Sequence, residues 1–394
     1  MDKNNKKNLR IGIVLHSYPG VSESFFSEKL RCLQELQFKV LLFIDDGKKS
    51  QKFNSVIGFS WAGGIKNKII ELFKSYFRLV KNPLKSIYLY KYNYDSGYHF
   101  RENIVSLIRS SHILSYKLDW LHFGFATNAI GRENLATTIG SKMSASIRGY
   151  DIAIYPKTNI RCYDLLWERL DQLHYISDDL LSIAKSEGFN NGRKFKIPPS
   201  IDIKKFYGQV RKTISKPLKI VTNARLHWKK GYDYLFQALS ILKIKNIPFE
   251  YTIIGYGEDY ERLVYAAHQM NIFTQIKFEK ELSSHEIVNV LSKNDIFILY
   301  SIQEGFSNAV LEAQAMGLLC IVSDAEGLNE NVINGKTGWV IPKLEPELLA
   351  MTIIKVAKSS DNKIKEISSN AIEHVRCDHN LSILKDGYEK FFYV

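Results

Sequence analysis

Residues suited to chemistry follow an apolar run in the second half of the chain. The string EGFSNAVLEAQAMG (304–317) comes directly after the apolar run 295–300. Glu304 falls on a predicted strand-to-helix loop, and Ser307 is predicted to cap the helix, so that the amides around Ser307 point at an anion. Glu312 lies roughly 7 to 8 Å farther along the helix. The two glutamates can therefore reach different parts of one ligand.

Two more loops of this kind follow predicted strands. The string VTNARLHWKKG (221–231) carries Arg225 and Lys230, and two fixed cations in one loop can clamp a diphosphate. The string YTIIGYGEDYERL (251–263) carries Gly255 and Gly257, which would let the backbone approach a phosphate closely. The turn-rich run SDAEGLNENVINGKTGWVIP (323–342) is interpreted only as loops.

The first half offers candidates at three predicted strand ends. The loop SYPGVSESFF (17–26) contains Gly20 and could bind an acceptor or a donor phosphate. His122 lies at the end of a second strand, and Arg148 and Asp151 follow a third. A single histidine is more often structural than catalytic, so both interpretations of His122 stay open.

Short apolar runs alternate with amphipathic segments, which predicts βαβ units and parallel sheets. The predicted strands are 11–15, 39–44, 119–123, 144–147, 173–176, 194–197, 218–222, 250–254, 275–278, 295–299, 319–322 and 338–341. The predicted helices are 23–37, 161–170, 178–188, 231–244, 258–270, 284–292, 307–316 and 345–358. The pattern predicts a domain over 1–200, a linker over 201–217, a second domain over 218–378 and a terminal helix over 379–394.

The net charge of +13 is concentrated in the first half of the chain. Residues 1–200 hold 30 Lys and Arg against 18 Asp and Glu, a net of +12, whereas residues 201–394 hold 24 against 23, a net of +1. This asymmetry indicates an anionic partner for the first half. Segment 62–92 interleaves seven Lys and Arg with aromatic side chains. It fits either an interfacial amphipathic helix, broken near Pro83, or a core helix with a basic face.

The spacing of the cysteines and the hydropathy of the sequence indicate the cellular compartment. The four cysteines are scattered, with no spacing typical of zinc sites or disulfide frameworks, so buried, reduced thiols are expected. No stretch approaches the roughly 20 apolar residues of a spanning helix. We therefore expect a cytoplasmic protein, attached to a membrane at most peripherally.

Taken together, these strings resemble the retaining glycosyltransferase family four, which acts in bacterial capsule, exopolysaccharide and O-antigen assembly. The resemblance implies an α/β fold in which two Rossmann-like domains with parallel sheets face each other across a cleft (GT-B type). The family's paired glutamates fall on Glu304 and Glu312, its cationic clamp on Arg225 and Lys230, and its Gly-x-Gly loop on Gly255 and Gly257. Arg148 and Ser307 depart from the residues that many members carry there.

The resemblance also implies roles for these residues. Glu304 would contact the donor sugar, Glu312 would hold the ribose, and His122 would serve the acceptor side. Arg225 and Lys230 would stabilise the departing diphosphate. The remaining predicted donor contacts are Gly305, Phe306, Ser307, Asn308, Gly255, Gly257, Arg148, Asp151 and Gly20. No cofactor and no metal is expected, since the chain has no Asp-x-Asp string and no cluster at metal-ligand spacing.

The expected function is transfer of a hexose-type sugar from a nucleoside-diphosphate sugar to a hydroxyl of a growing, lipid-linked glycan. The expected partners are the donor, the glycan acceptor and the anionic inner face of the cell membrane. A nucleic-acid partner is not expected, because no recognised module is present. The alternatives are a nucleotide-sugar 2-epimerase, which needs carboxylate acids and bases around the sugar carbon, and a non-catalytic protein that binds nucleotide sugars or an anionic surface.

Overall fold

The computed structural model describes residues 9–18, 24–46, 53–60 and 64–393, and Gly20 lies outside these ranges. The chain divides into two compact units. The first unit comprises residues 1–197 and 385–394, and the second comprises residues 198–384.

A parallel sheet of seven strands forms the first unit. The strands are β1 (Arg10–Ser17), β2 (Lys39–Asp46), β3 (Ser55–Ile57), β4 (Trp120–Phe123), β5 (Lys142–Ile147), β6 (Gln172–Tyr175) and β7 (Arg193–Lys196). Their order is β3-β2-β1-β4-β5-β6-β7. All residues of β4 and β6 are buried, as expected for parallel strands that are covered on both faces.

The helices of the first unit surround this sheet. They are α1 (Ser24–Glu35), α2 (Ile65–Val80), α3 (Pro83–Asp95), α4 (Phe100–Ser110), α5 (Leu135–Ile139), α6 (Tyr155–Thr158), α7 (Asp164–Arg169) and α8 (Asp178–Ser186). The last helix of the chain, Leu381–Tyr393, contributes its residues from Lys385 onward. Its Phe391 and Phe392 rings are buried, and the Phe392 carbonyl accepts a hydrogen bond from Trp120 Nε1 at 3.0 Å.

A parallel sheet of six strands forms the second unit. The strands are β8 (Leu218–Asn223), β9 (Phe249–Ile254), β10 (Ile276–Glu279), β11 (Ile296–Leu299), β12 (Leu319–Ser323) and β13 (Gly338–Ile341). Their order is β10-β9-β8-β11-β12-β13, which is that of a doubly wound dinucleotide-binding sheet. The core lies where strand residues such as Ile298 and Ile321 meet Leu235 and Leu239.

The helices of the second unit are α9 (Tyr232–Ile244), α10 (Tyr260–Gln269), α11 (Ser284–Ser292), α12 (Asn308–Ala315), α13 (Leu328–Asn331), α14 (Pro346–Ala357), α15 (Asp361–Asp378) and the start of α16 (Leu381–Tyr393). Side-chain caps fix several of their starts. Ser307 accepts from the Val310 amide at the start of α12, as predicted from the sequence. Ser283 and Glu286 form a reciprocal capping box on α11.

The twelve predicted strands are confirmed, and β3 is an additional short edge strand. The helices α4 and α15 and the short helices α5, α6 and α13 were not predicted. The expectation of buried cysteines holds for Cys32 and Cys320 but is wrong for Cys377, which is exposed. Within the described ranges, every helix is too short or too polar to cross a membrane.

Candidate functional site

The loops that follow β8, β9, β11 and β12 lie at one edge of the second sheet, because all its strands are parallel. Backbone hydrogen bonds join these loops to each other. The Ile302 amide donates to the Lys229 carbonyl at 2.7 Å, and the Ala224 amide donates to the Ile254 carbonyl at 3.0 Å. The predicted second-unit candidates are thus held on a connected framework.

The centre of this edge is an ion pair between Lys230 and Glu304. Lys230 ends the short 3₁₀ turn Trp228–Lys230, and Glu304 lies on the loop after β11. Their side chains are only 13% and 15% exposed, so the pair is largely desolvated. Ser301 Oγ donates a further hydrogen bond to the Glu304 carboxylate at 3.4 Å. The cation and the carboxylate that were predicted to serve one ligand are therefore in direct contact.

Glu326 supports this pair from the neighbouring loop, and sequence reasoning missed it. The Glu304 amide donates to Glu326 Oε2 at 2.8 Å, and the Gly327 amide donates to the Glu304 carbonyl at 3.2 Å. Lys343 lies 3.9 Å from the Glu326 carboxylate and donates to the Ile302 carbonyl at 3.1 Å. These contacts fix the backbone of Glu304 on both sides. The available signal was a pair of acidic residues, Asp324 and Glu326, in the loop that follows β12.

Cations extend beyond Lys230 along the same loop. Arg225 is exposed, and its guanidinium forms no hydrogen bond or ion pair with any described residue. Lys229, which sequence reasoning did not select, is partly buried. Burial lowers the pKa of Lys229, and the neighbouring Lys230 lowers it further. The loop can therefore present Arg225 and Lys230 to an anion.

Gly255 and Gly257 are required by packing between two loops. A Cβ at Gly255 would lie 2.1 Å from the Ala224 carbonyl oxygen, and one at Gly257 would lie 2.1 Å from that of Leu226. Gly255 also has φ +147°, a backbone conformation that residues with a side chain rarely adopt. The close approach that these glycines allow is to the 224–226 backbone, which accounts for both glycines without a ligand. Their contact with a phosphate stays a prediction.

The start of α12 differs from the prediction in one respect. The Ser307 amide donates to Asn331 Oδ1 at 2.8 Å, so it is not directed at a ligand. Gly305 and Phe306 are buried, and the Phe306 ring lies 5.4 Å from that of His379. The amides of Asn308 and Ala309 open the helix without a described acceptor. An anion at this helix would therefore meet Asn308 rather than Ser307.

Glu312 lies on α12 and is partly exposed. Its carboxylate accepts no hydrogen bond from any described residue, and burial raises the pKa of Glu312 to about 8. A carboxyl without a protein partner on a helix beside the edge can receive hydroxyl groups of a ligand. Its predicted contact with a ribose stays a prediction.

Asp151 of the first unit is buried and bound to backbone amides. Its buried carboxylate accepts from the amides of Arg148 at 3.0 Å, Gly149 at 2.9 Å and Ala126 at 3.3 Å. The Arg148 guanidinium lies over the ring of Phe25 at 4.1 Å. Both side chains are thus engaged within their own unit, and their predicted contacts with a donor stay predictions.

His122 is completely buried, which is contrary to the expectation of a strand-end residue that meets an acceptor. Its ring nitrogens lie 2.8 Å from Ser144 Oγ and 2.6 Å from Lys29 Nζ. The strand register places His122 beside Ser144, and Ser146 beside His174. Burial lowers the pKa of His122 well below its ordinary value, and Lys29 adds to this effect. The surroundings favour the structural interpretation, and a catalytic role for His122 stays a prediction.

The described part of the chain contains no group of three or more His, Cys, Asp or Glu side chains that could hold a metal ion. The ligand chemistry available at the edge of the second sheet is therefore that of Arg225, Lys230, Glu304, Glu312 and backbone amides. Fixed cations beside a carboxylate suit a ligand that has both a phosphate and hydroxyl groups.

Residues 204–374 match the family described as "Glycosyl transferases group 1". The matched residues make up most of the second unit. The match includes all four loops at the candidate site, from Arg225 to Lys343. The resemblance drawn from the sequence is confirmed by this match.

Individual relatives extend the similarity to the whole chain. A colanic acid biosynthesis glycosyltransferase of Escherichia coli (strain K12), WcaL, is 23% identical over 95% of this chain and 97% of its own length. The UDP-Gal:alpha-D-GlcNAc-diphosphoundecaprenol alpha-1,3-galactosyltransferase of Escherichia coli is 31% identical over 44% of this chain and 46% of its own. Sucrose-phosphate synthase from Thermosynechococcus elongatus superposes with a TM-score of 0.74 and 15% identity over 98% of both chains. The predicted GT-B fold class is confirmed.

Proposed function

We propose that the protein is a retaining glycosyltransferase that moves a hexose-type sugar from a nucleoside-diphosphate sugar to a hydroxyl of a lipid-linked glycan in surface polysaccharide biosynthesis. The observation that carries the proposal is the Lys230–Glu304 pair at the carboxyl edge of the second sheet. The names of the relatives support the polysaccharide role and the lipid-diphosphate acceptor.

Each side chain at the edge has a role in this proposal. The donor diphosphate would lie against Arg225 and Lys230, whose charges offset the negative charge that develops on the leaving group. Glu304 would contact the sugar, and Glu312 would accept from the ribose hydroxyls. Glu326 would keep Glu304 in place through the Glu304 amide. The proposal includes no metal, so the reaction should proceed in the presence of a chelator.

The same proposal includes the cellular location of the protein. A lipid-diphosphate acceptor is held at a bilayer surface, and residues 1–200 carry a net charge of +12, from 30 basic and 18 acidic side chains. Anionic headgroups attract such a basic segment. The enzyme would therefore work in the cytoplasm, peripherally on the inner face of the cell membrane.

A thermal-shift screen tests the proposal first. The purified chain is heated with UDP, GDP, ADP, CMP and their sugar conjugates, in EDTA. A ligand at about 100 times its Kd stabilises by about 2.7 kcal/mol, which gives a readable shift. We expect one nucleoside diphosphate to raise the Tm, and Lys230→Ala and Glu312→Ala to abolish the rise. No rise with any nucleotide would contradict the proposal.

Product analysis then separates the alternatives. With the selected donor and an acceptor, the product should keep the anomeric configuration of the donor, as read by NMR. An epimerised nucleotide sugar formed without acceptor would instead identify a 2-epimerase. Nucleotide binding without any turnover would identify a non-catalytic binding protein.

A further inference from the structure

Helix α2 presents its apolar face to solvent and its polar face to the protein. Ile69, Phe73, Tyr76 and Phe77 lie on one side of the helix and are all exposed. The opposite side holds Ser75, which is completely buried. A helix on a water-soluble surface normally has the reverse arrangement. Within the described ranges, the apolar face of α2 is therefore left open to solvent.

The contacts of α2 confirm which face is inside. Arg78 donates to the Ile57 carbonyl at 3.2 Å. Glu71, with its side chain 22% exposed, pairs with Lys74 at 2.6 Å. The less exposed side of α2 thus carries the polar residues Glu71, Ser75 and Arg78, of which Arg78 bonds to β3. This orientation argues against the core-helix interpretation of segment 62–92, since a core helix would bury the phenylalanines.

Helices α3 and α4 continue the same arrangement. They pack against each other and against α2. The buried contacts between α3 and α4 include a polar group, in which Asn93 Nδ2 donates to Asn103 Oδ1 at 3.1 Å and to Ser106 Oγ at 2.9 Å. Of the 33 exposed large apolar side chains in the described ranges, 17 lie in α2, α3 and α4. We call this region the α2–α4 surface.

The charge of the α2–α4 surface selects the kind of partner. Residues 65–110 contain nine Lys and Arg against three Asp and Glu, a net charge of +6. A second copy of the chain would bring the same positive surface against itself in a symmetric dimer, and like charges oppose that contact. An anionic surface that also accepts apolar and aromatic side chains is a lipid bilayer with acidic headgroups.

We propose that the α2–α4 surface docks on an anionic lipid bilayer, with the phenylalanines and tyrosines of α2 and α3 in the headgroup region and the lysines against acidic headgroups. Tyrosine and other aromatic rings are favoured at that depth. The inference deepens the proposed function, and it rests on that function only for the lipid-linked acceptor. Lipid contact itself follows from the exposed faces and the charge.

Vesicle co-sedimentation of the full chain tests the proposal. Vesicles of phosphatidylcholine with phosphatidylglycerol are compared with pure phosphatidylcholine, at about 0.05 M and about 0.5 M salt. We expect binding to the anionic vesicles at low salt, which the higher salt weakens because it screens the charges. No sedimentation with anionic vesicles at low salt would overturn the proposal.

Matched variants identify the surface. Phe73 and Phe77 are 62% and 60% exposed, so Phe73→Ser/Phe77→Ser should leave the fold intact and weaken vesicle binding by about tenfold or more. The control is Ile244→Ser/Tyr265→Ser on the second unit, where the side chains are 79% and 66% exposed. An equal loss in the control would overturn the assignment to the α2–α4 surface.

Charge variants supply the second arm. Lys66 and Lys81 are exposed on and just after α2, and Lys66→Gln/Lys81→Gln should weaken binding by about 25-fold, about fivefold for each lysine. The control is Lys245→Gln/Lys358→Gln on the second unit, where both lysines are exposed. An equal loss in this control would contradict local contact with headgroups.

Two further measurements distinguish lipid docking from dimer formation and from nucleotide binding. Sedimentation velocity would overturn the proposal if it showed a dimer that Phe73→Ser/Phe77→Ser dissolves while vesicles are not bound. The nucleotide thermal shift is measured on the same variants. If the native chain shows the nucleotide thermal shift but does not bind vesicles, the docking proposal is refuted and the proposed function stands. Vesicle binding without any nucleotide shift would leave docking supported and the transferase proposal refuted.

Discussion

The Glu312→Gln substitution should stabilise the second unit at pH 8 but not at pH 5. Burial raises the pKa of Glu312 to about 8, from an ordinary value of 4.5. Between these values the folded protein holds a proton that the unfolded chain has released. The stability associated with this proton is fully present below pH 4.5 and is lost as the pH rises to about 8. Glutamine has no proton to lose, so the variant should not show this loss.

The size of the effect follows from the difference between the two pKa values. Each tenfold change in proton affinity corresponds to about 1.4 kcal/mol, so the upper limit is about 5 kcal/mol at pH 8. Solvent reaches part of the Glu312 side chain and reduces this value. We expect about 2 kcal/mol, which corresponds to a rise of about 4 to 8 °C in the Tm of a unit of this size.

Thermal unfolding of the native chain and of Glu312→Gln, at half-unit steps of pH, measures the effect. The control is Glu347→Gln, at an exposed position on α14. The difference in Tm between Glu312→Gln and the native chain should grow steadily with pH, and the control should show no such trend. A difference that is constant with pH, or a loss of stability at pH 8, would refute the reasoning.

Substitutions at three other positions test individual contacts within the two units. Lys230→Ala should lower turnover by about 100-fold or more, because a group that stabilises the leaving diphosphate is removed; unchanged turnover would contradict this role. Glu326→Ala should lower turnover by about tenfold, and Glu326→Gln should retain most of it, since glutamine still offers an oxygen to the Glu304 amide; equal losses would contradict positioning through that bond. Lys29→Met should raise the Tm by a few degrees at pH 7 and by less near pH 10. Burial lowers the pKa of Lys29, so below pH 10.5 the buried amine destabilises the folded state, and methionine removes this destabilisation. A lower Tm at pH 7 would contradict this reasoning.

The strands and the central ion pair were predictable because their signals are local. Continuous apolar runs such as that of β12 mark buried parallel strands, and the sheet topology then brings the following loops together. Lys230 and Glu304 could therefore be assigned to one site from their positions after β8 and β11. Helix α15 was missed although its buried apolar residues Ile364, Ile367 and Val375 follow a helical period that could have predicted it.

Residues whose roles depend on tertiary contacts were not predictable. His122 follows apolar residues at a strand end, but both faces of this sheet are covered, so the position does not expose the ring. Glu326 reaches Glu304 across 22 residues of sequence, and only the folded loops show the contact. For α2, the amphipathic pattern gave the two faces but not which of them is inside, since that depends on the polar partners supplied by the rest of the unit.

The first unit is not contiguous in the chain, and this affects how it can form during synthesis. Residues 1–197 leave the ribosome well before residues 385–393, whose Phe391 and Phe392 complete the same core. Until then, the Trp120 and Gln172 side chains lack the carbonyl acceptors that the last helix provides. The second unit, by contrast, is one unbroken segment and can fold as soon as it emerges. We therefore expect the second unit to fold before the first unit is complete, although most of the first unit is synthesised earlier.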